Sequence, residues 1–144
     1  MRISEIDYFG KPHSEEQRAS ATALLQRVDD LTEDAIVAGG FEQMVDPDTG
    51  CEISGSRNGD GDGGFRTPAS QTGAQGSRHR EAKAVDVYDP GDRLDTWLDQ
   101  FEMPNGGNTM LEKHGLYREH PSATLGWCHL QSVPPASGRR TFMP

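Results

Sequence analysis

The sequence predicts an α+β fold, and three features carry that prediction. There is one long amphipathic segment near the start, two short apolar runs with strand character far apart in the chain, and two short helical patterns between them. Ser14 followed by Gln17 is a capping box that opens the first of these helices. Ala21, Leu24, Leu25, Val28 and Leu31 then recur at three- and four-residue spacing, the mark of one buried face. The pattern continues through Ala35 and Ile36, and Gly39-Gly40 stops it. Residues 1–13 ahead of the helix read as an N-terminal extension.

Asp46-Pro47-Asp48-Thr49-Gly50 reads as a turn and Cys51 to Ser54 as a short strand. Residues 55–76 form a Gly/Asp-rich stretch without periodicity, longer than an ordinary connection and so expected to be either a functional or a disordered loop. Lys83 to Tyr88 reads as a strand ended by the Asp89-Pro90-Gly91 turn. Leu94, Trp97, Leu98 and Phe101 make the apolar face of a second helix. Asn108 or Thr109 caps a third that runs to Gly115. Trp127 to Gln131 is the last strand, closed by Pro134-Pro135, and the tail from Ser137 has no regular pattern. No repeat or linker divides residues 1–144, so a single domain is expected.

Composition narrows the function. Only 33% of the 144 residues are hydrophobic, and 17 Gly with 9 Pro describe a loop-rich chain that gains from a metal clip. With 14 basic against 23 acidic residues the net charge is −9, which excludes phosphate-backbone binding to nucleic acid and attachment to an anionic membrane. No apolar run reaches the roughly 20 residues of a spanning helix, and Met1 to Gly10 lacks a signal-peptide layout. The expectation is a cytosolic product, for which any role outside the cytoplasm would need lysis or a carrier. Cys51 and Cys128 are too few for a disulfide framework and are expected to be reduced and partly buried.

The chemistry concentrates in Ser77-Arg78-His79-Arg80-Glu81-Ala82-Lys83-Ala84-Val85-Asp86 and in Trp127-Cys128-His129. Ala84 and Asp86 share a strand face, and His79 lies on the turn just upstream, so His79 and Asp86 can point at one spot. His129 sits in an apolar strand where a metal bond would satisfy one ring nitrogen. Two His and one Asp leave a fourth metal position for water, the arrangement of a catalytic zinc site. Spacing alone equally allows a surface His79 and a hydrogen-bonded core His129.

The run S-x-H-x-x-(G/A)-x-A-x-D, present as Ser77, His79, Ala82, Ala84 and Asp86, resembles the zinc D-Ala-D-Ala carboxypeptidases and the phage-type L-alanyl-D-glutamate endopeptidases. Gly64-Phe65-Arg66-Thr67-Pro68 resembles that family's Gly-aromatic-Arg segment, and Trp127-x-His129 its last ligand strand. The resemblance covers the chain from Ser14 onward. It implies the fold shared with the hedgehog signalling domain, a small antiparallel sheet flanked by helices. It also implies zinc held by His79, Asp86 and His129, Ser77 supporting the His79 loop, and Arg66 holding a substrate carboxylate or carbonyl of a peptidoglycan stem peptide.

Two departures from the family pattern stand out. Ala82 replaces the usual Gly, and Gly126 stands three residues before His129, where active members carry the acidic general base. Glu119 is the first substitute for that base, with Glu81, Glu112 and His120 behind it. A protein that has lost the base and keeps the metal for stability, as a phage virion or binding module, is the rival expectation. Trp97 and Trp127 read as core residues, and Cys128 as pointing away from His129. Asn58-Gly59-Asp60-Gly61-Asp62-Gly63 resembles the first half of a calcium loop, but the twelfth position from Asn58 is Ala69 rather than Glu.

Overall fold

The computed structural model describes residues 3–55, 63–67 and 77–144, which leaves most of the Gly/Asp-rich stretch, including residues 58–62 of the calcium-loop-like run, outside the described residues. The dominant helix, α2 (Glu15–Val37), starts at the capping box: the Ser14 hydroxyl accepts from the Gln17 N–H, and the Gln17 side chain accepts from the Ser14 N–H. Its buried face is the one the spacing predicts, with Ala21, Leu24, Leu25, Val28, Leu31 and Ala35 all in the core. Each buried Leu there contributes about 1.5–3 kcal/mol.

The N-terminal segment is not a mere extension. Ser4 caps a short helix, α1 (Glu5–Phe9), which buries Tyr8 and Phe9, and the Tyr8 hydroxyl donates to the Ala84 carbonyl. After α2 the chain turns at Asp46, but Cys51 to Ser54 forms only single bridges, Asp46 with Cys51 and Ile53 with Val87. A 3₁₀ turn (Arg78–Glu81) leads into β1 (Ala84–Tyr88), followed by α3 (Arg93–Asp99) and α4 (Thr109–His114), the latter capped by the Asn108 side chain. Then come β2 (Tyr117–Glu119), a second 3₁₀ turn (Pro121–Ala123), β3 (Trp127–Gln131) and β4 (Thr141–Phe142).

The four strands form one sheet in the order β1-β3-β2-β4. β1 and β2 run antiparallel to β3, but β2 and β4 run parallel, so the sheet is mixed rather than antiparallel throughout. The parallel pair arises because the patternless tail returns along β2, where Arg118 N–H donates to the Arg140 carbonyl and His120 N–H to that of Phe142. One face of the sheet, carrying Val85, Val87, Cys128 and Leu130, is packed into the same core as α2 and α3. The other face is polar. Among the described residues no helix is long and apolar enough to cross a membrane.

Candidate metal centre

The polar face owes its character to strand register. Asp86 lies directly opposite His129 across β1 and β3, while Val87 faces Cys128 and Val85 faces Leu130. Because side chains alternate along a strand, Asp86 and His129 meet on one side and the apolar pairs on the other. Cys128 therefore points into the core, as its place in the strand predicts; it is free, and burial pushes its thiol well up. Cys51 is also free and buried.

His79 reaches the same spot from the 3₁₀ turn. Ser77 caps that turn by accepting from the His79 N–H at 3.3 Å. The turn closes on Ala82 at φ +58, the left-handed conformation that glycine adopts without strain. The outer edge of β1 is bound by Ser54 N–H donating to the Asp86 carbonyl and by Asp86 N–H donating to that of Gly63. A side chain on Gly63 would collide with Asp86 Cβ and the Ser54 carbonyl, so glycine is needed to let this segment lie against the strand.

His79, Asp86 and His129 are all buried, and one donor atom from each lies within 4.8 Å of the others, a group able to hold a metal ion. Asp86 Oδ1 is 3.3 Å from His79 Nε2 and 2.9 Å from His129 Nδ1. The remaining ring nitrogens meet carbonyl oxygens: His79 Nδ1 donates to Gly64 at 2.9 Å, and His129 Nε2 donates to the Gln131 side chain at 2.8 Å. Each imidazole is thus held with the nitrogen that a cation would take facing Asp86; in His129 that nitrogen, Nδ1, donates to the carboxylate, which can only accept. Arg66 Nη2 lies 3.6 Å from Asp86 Oδ2, on the carboxylate oxygen that the histidines do not use.

The electrostatics agree with a cation-receiving site. Burial would push the Asp86 carboxyl up, but His79 and His129 beside it outweigh burial and hold it well below the usual carboxylate range. Burial would likewise lower the His129 pKa, and its contact with Asp86 reverses that and raises it.

The group lies in a cleft of about 500 Å³ whose lining includes Arg66, Ser77, Arg78, Glu119, Trp127, Gln131 and Phe142. Glu119 Oε1 is 3.9 Å from His129 Nε2, so the first substitute base does share the cleft. The other candidates do not: Glu81 forms a two-point ion pair with Arg78 at 2.8 and 3.1 Å, Glu112 lies on α4, and His120 accepts from the Ser122 N–H within its own turn. Gly126 is held at φ +93, with its N–H donating to Asp92 Oδ1 at 2.7 Å and its carbonyl accepting from the Asp89 N–H. A carboxylate residue there would carry backbone strain.

Trp97 is in the core as expected, but Trp127 is half-buried and forms part of the cleft wall. Trp127, Gln131 and Phe142 are among the cleft residues that motif reading did not place there. Period-two alternation from His129 would have found the first two; Phe142 has no such signal, because its strand is only two residues long. Comparison with protein-family models, curated proteins and solved structures gave no match in any of the three.

Proposed function

We propose that this chain is a zinc-dependent peptidase that hydrolyses amide bonds of peptidoglycan stem peptides, as an endolysin or cell-wall carboxypeptidase or endopeptidase. The observation that carries the reading is the convergence of His79, Asp86 and His129 at a cleft also lined by Arg66 and Glu119. Two imidazoles and one carboxylate suit zinc, and two nitrogen ligands disfavour calcium or magnesium. Bound there, zinc supplies Lewis-acid polarisation of a carbonyl and lowers the pKa of water.

The chain's own groups do the rest. Arg66 pairs with a carboxylate or carbonyl of the substrate and fixes it in the cleft. Glu119 takes a proton from the attacking water and returns it to the leaving amine. Trp127 and Phe142 provide an apolar wall that narrows solvent access. The hedgehog/DD-peptidase-like fold belongs to the same proposal; the α+β architecture and the placement of Asp86 and His129 on neighbouring antiparallel strands support it.

Gly126, at a φ of +93 where a carboxylate residue would be strained, favours a second reading, a phage virion or binding module that keeps the metal for stability. Hydrolysis of purified peptidoglycan by zinc-loaded protein separates the two. The enzyme releases stem-peptide fragments, and Glu119→Gln lowers kcat by about 10²–10⁴-fold with zinc content unchanged. Zinc-loaded protein that releases nothing, but co-purifies with particles at fixed stoichiometry, establishes the module instead.

A further inference from the structure

We propose that Gln131 is the positioning residue of the centre: by holding the Nε2–H of His129 it makes Nδ1 the metal-binding atom. This rests on the metal reading above and extends it to a residue outside the ligand set. The orientation of the Gln131 side-chain amide is set by a neighbouring carbonyl. Its Nε2 donates to the Val133 carbonyl at 2.7 Å, an oxygen that can only accept. Turning the amide over would set two carbonyl oxygens against each other at that distance. The Gln131 Oε1 is therefore the atom that faces His129 Nε2, at 2.8 Å, and an oxygen there requires a hydrogen on Nε2.

Nδ1 donates to Asp86 Oδ1 at 2.9 Å, and a cation taken up between His129 and Asp86 would replace that Nδ1 proton while Gln131 keeps the one on Nε2. The two histidines thus offer different nitrogens, Nε2 from His79 and Nδ1 from His129, and each is set by a carbonyl oxygen on its far side. The His79 partner is the main-chain carbonyl of Gly64, which no substitution removes. The His129 partner is a side chain, 4% exposed, and can be tested.

The first measurement is the ¹⁵N spectrum of histidine-labelled, zinc-loaded wild type. The expected result is a protonated Nε2 and a zinc-shifted Nδ1 on His129; coordination through Nε2 overturns the proposal. The second is zinc affinity by chelator competition. Gln131→Leu, which offers no acceptor, is expected to bind zinc roughly 10–100-fold more weakly. Gln131→Glu keeps an acceptor for Nε2–H once its second oxygen turns from the half-buried Val133 carbonyl toward water, and is expected to bind zinc more tightly than Gln131→Leu. Gln131→Leu protein that folds and binds as tightly as wild type overturns the role of Gln131 alone. Wild type that takes up no zinc overturns the metal centre itself. Should Gln131→Leu fail to fold, the wild-type spectrum and the Gln131→Glu affinity decide the matter.

Discussion

The sheet separates two buried charge clusters that solve the same problem in opposite ways. On the core side Arg118 is 1% exposed and its donors are all engaged. Nη1 donates to the Asp95 carboxylate and carbonyl at 3.0 Å, Nη2 to Asp99 at 2.6 Å, and Nε to the Thr141 hydroxyl at 2.9 Å. The cation that these carboxylates need is built into the chain. On the cleft side His79, Asp86 and His129 gather possible ligand atoms around one point, and Arg66 Nη2 lies 3.6 Å from the outer oxygen of Asp86. A buried polar cluster closed by its own arginine is a fastener, whereas one whose ligand atoms converge could act as a receptor for a cation from outside.

The largest effect should come from breaking the receptor. His79→Ala or His129→Ala should abolish stoichiometric zinc uptake, read by elemental analysis of protein kept free of chelators. Saturating zinc should stabilise wild type by about 3–4 kcal/mol at 100 to 1,000 times its Kd, and neither variant at all, read by thermal unfolding. Equal stabilisation of variant and wild type would show that zinc binds elsewhere and would erase the distinction between the clusters.

Breaking the fastener should cost stability instead. Arg118→Leu at pH 7 leaves Asp95 buried without its cation and should destabilise by about 3–5 kcal/mol in urea unfolding. In protein that remains folded, zinc affinity should be unchanged, because Arg118 points to the opposite face from His129. A large fall in zinc affinity would mean that the two faces are coupled through β3.

Asp95 also gives the fastener a pH signature. Burial pushes its carboxyl from an ordinary 3.8 up to about 6, against the pull of Arg118, with Cys128 also lowering it and Asp89 raising it. The folded state therefore binds this proton more tightly than the unfolded chain does. The resulting stability is fully present below about pH 4 and is lost as pH rises through about 6. Asp95→Asn should lack this contribution, on the order of 3 kcal/mol, so wild type measured against it should weaken between pH 4 and 6. Parallel pH profiles would show that Arg118 fully compensates the burial.

The smallest effect belongs to the turn between the clusters. Ala82→Gly relieves about 1–2 kcal/mol of left-handed strain but gives up a buried methyl and adds chain entropy. The net change in unfolding free energy should stay under about 1 kcal/mol, with zinc binding intact. A larger loss would mean that the Ala82 methyl, and not the turn, holds His79 in place.

How much of this was legible in advance depended on length. α2 could be read almost to the residue because its capping box and apolar stripe repeat over 23 residues, so many weak preferences point the same way. β3 was legible because Trp127 to Gln131 is bounded by turn chemistry on both sides. α1 has five residues and β2 three, too few for a period to show, and each is held mainly by partners distant in sequence. The Tyr8 hydroxyl finds Ala84, 76 residues on, and β2 finds its second neighbour in a tail without pattern.

The candidate site divides along the same line. Residue chemistry at short range, Ser77, His79 and Asp86 on a turn and strand, is local, and so is the absence of an acid at Gly126. These the order of amino acids determined by itself, because a turn and the strand after it set their own side-chain directions. Tertiary structure alone decided that Asp86 stands opposite His129, that Glu119 shares their cleft while Glu81 turns to Arg78, and that Gln131 orients His129. Strand register and the return of the tail bring these groups together. Both depend on which residues pack beneath the sheet, a condition satisfied only when the whole chain has folded.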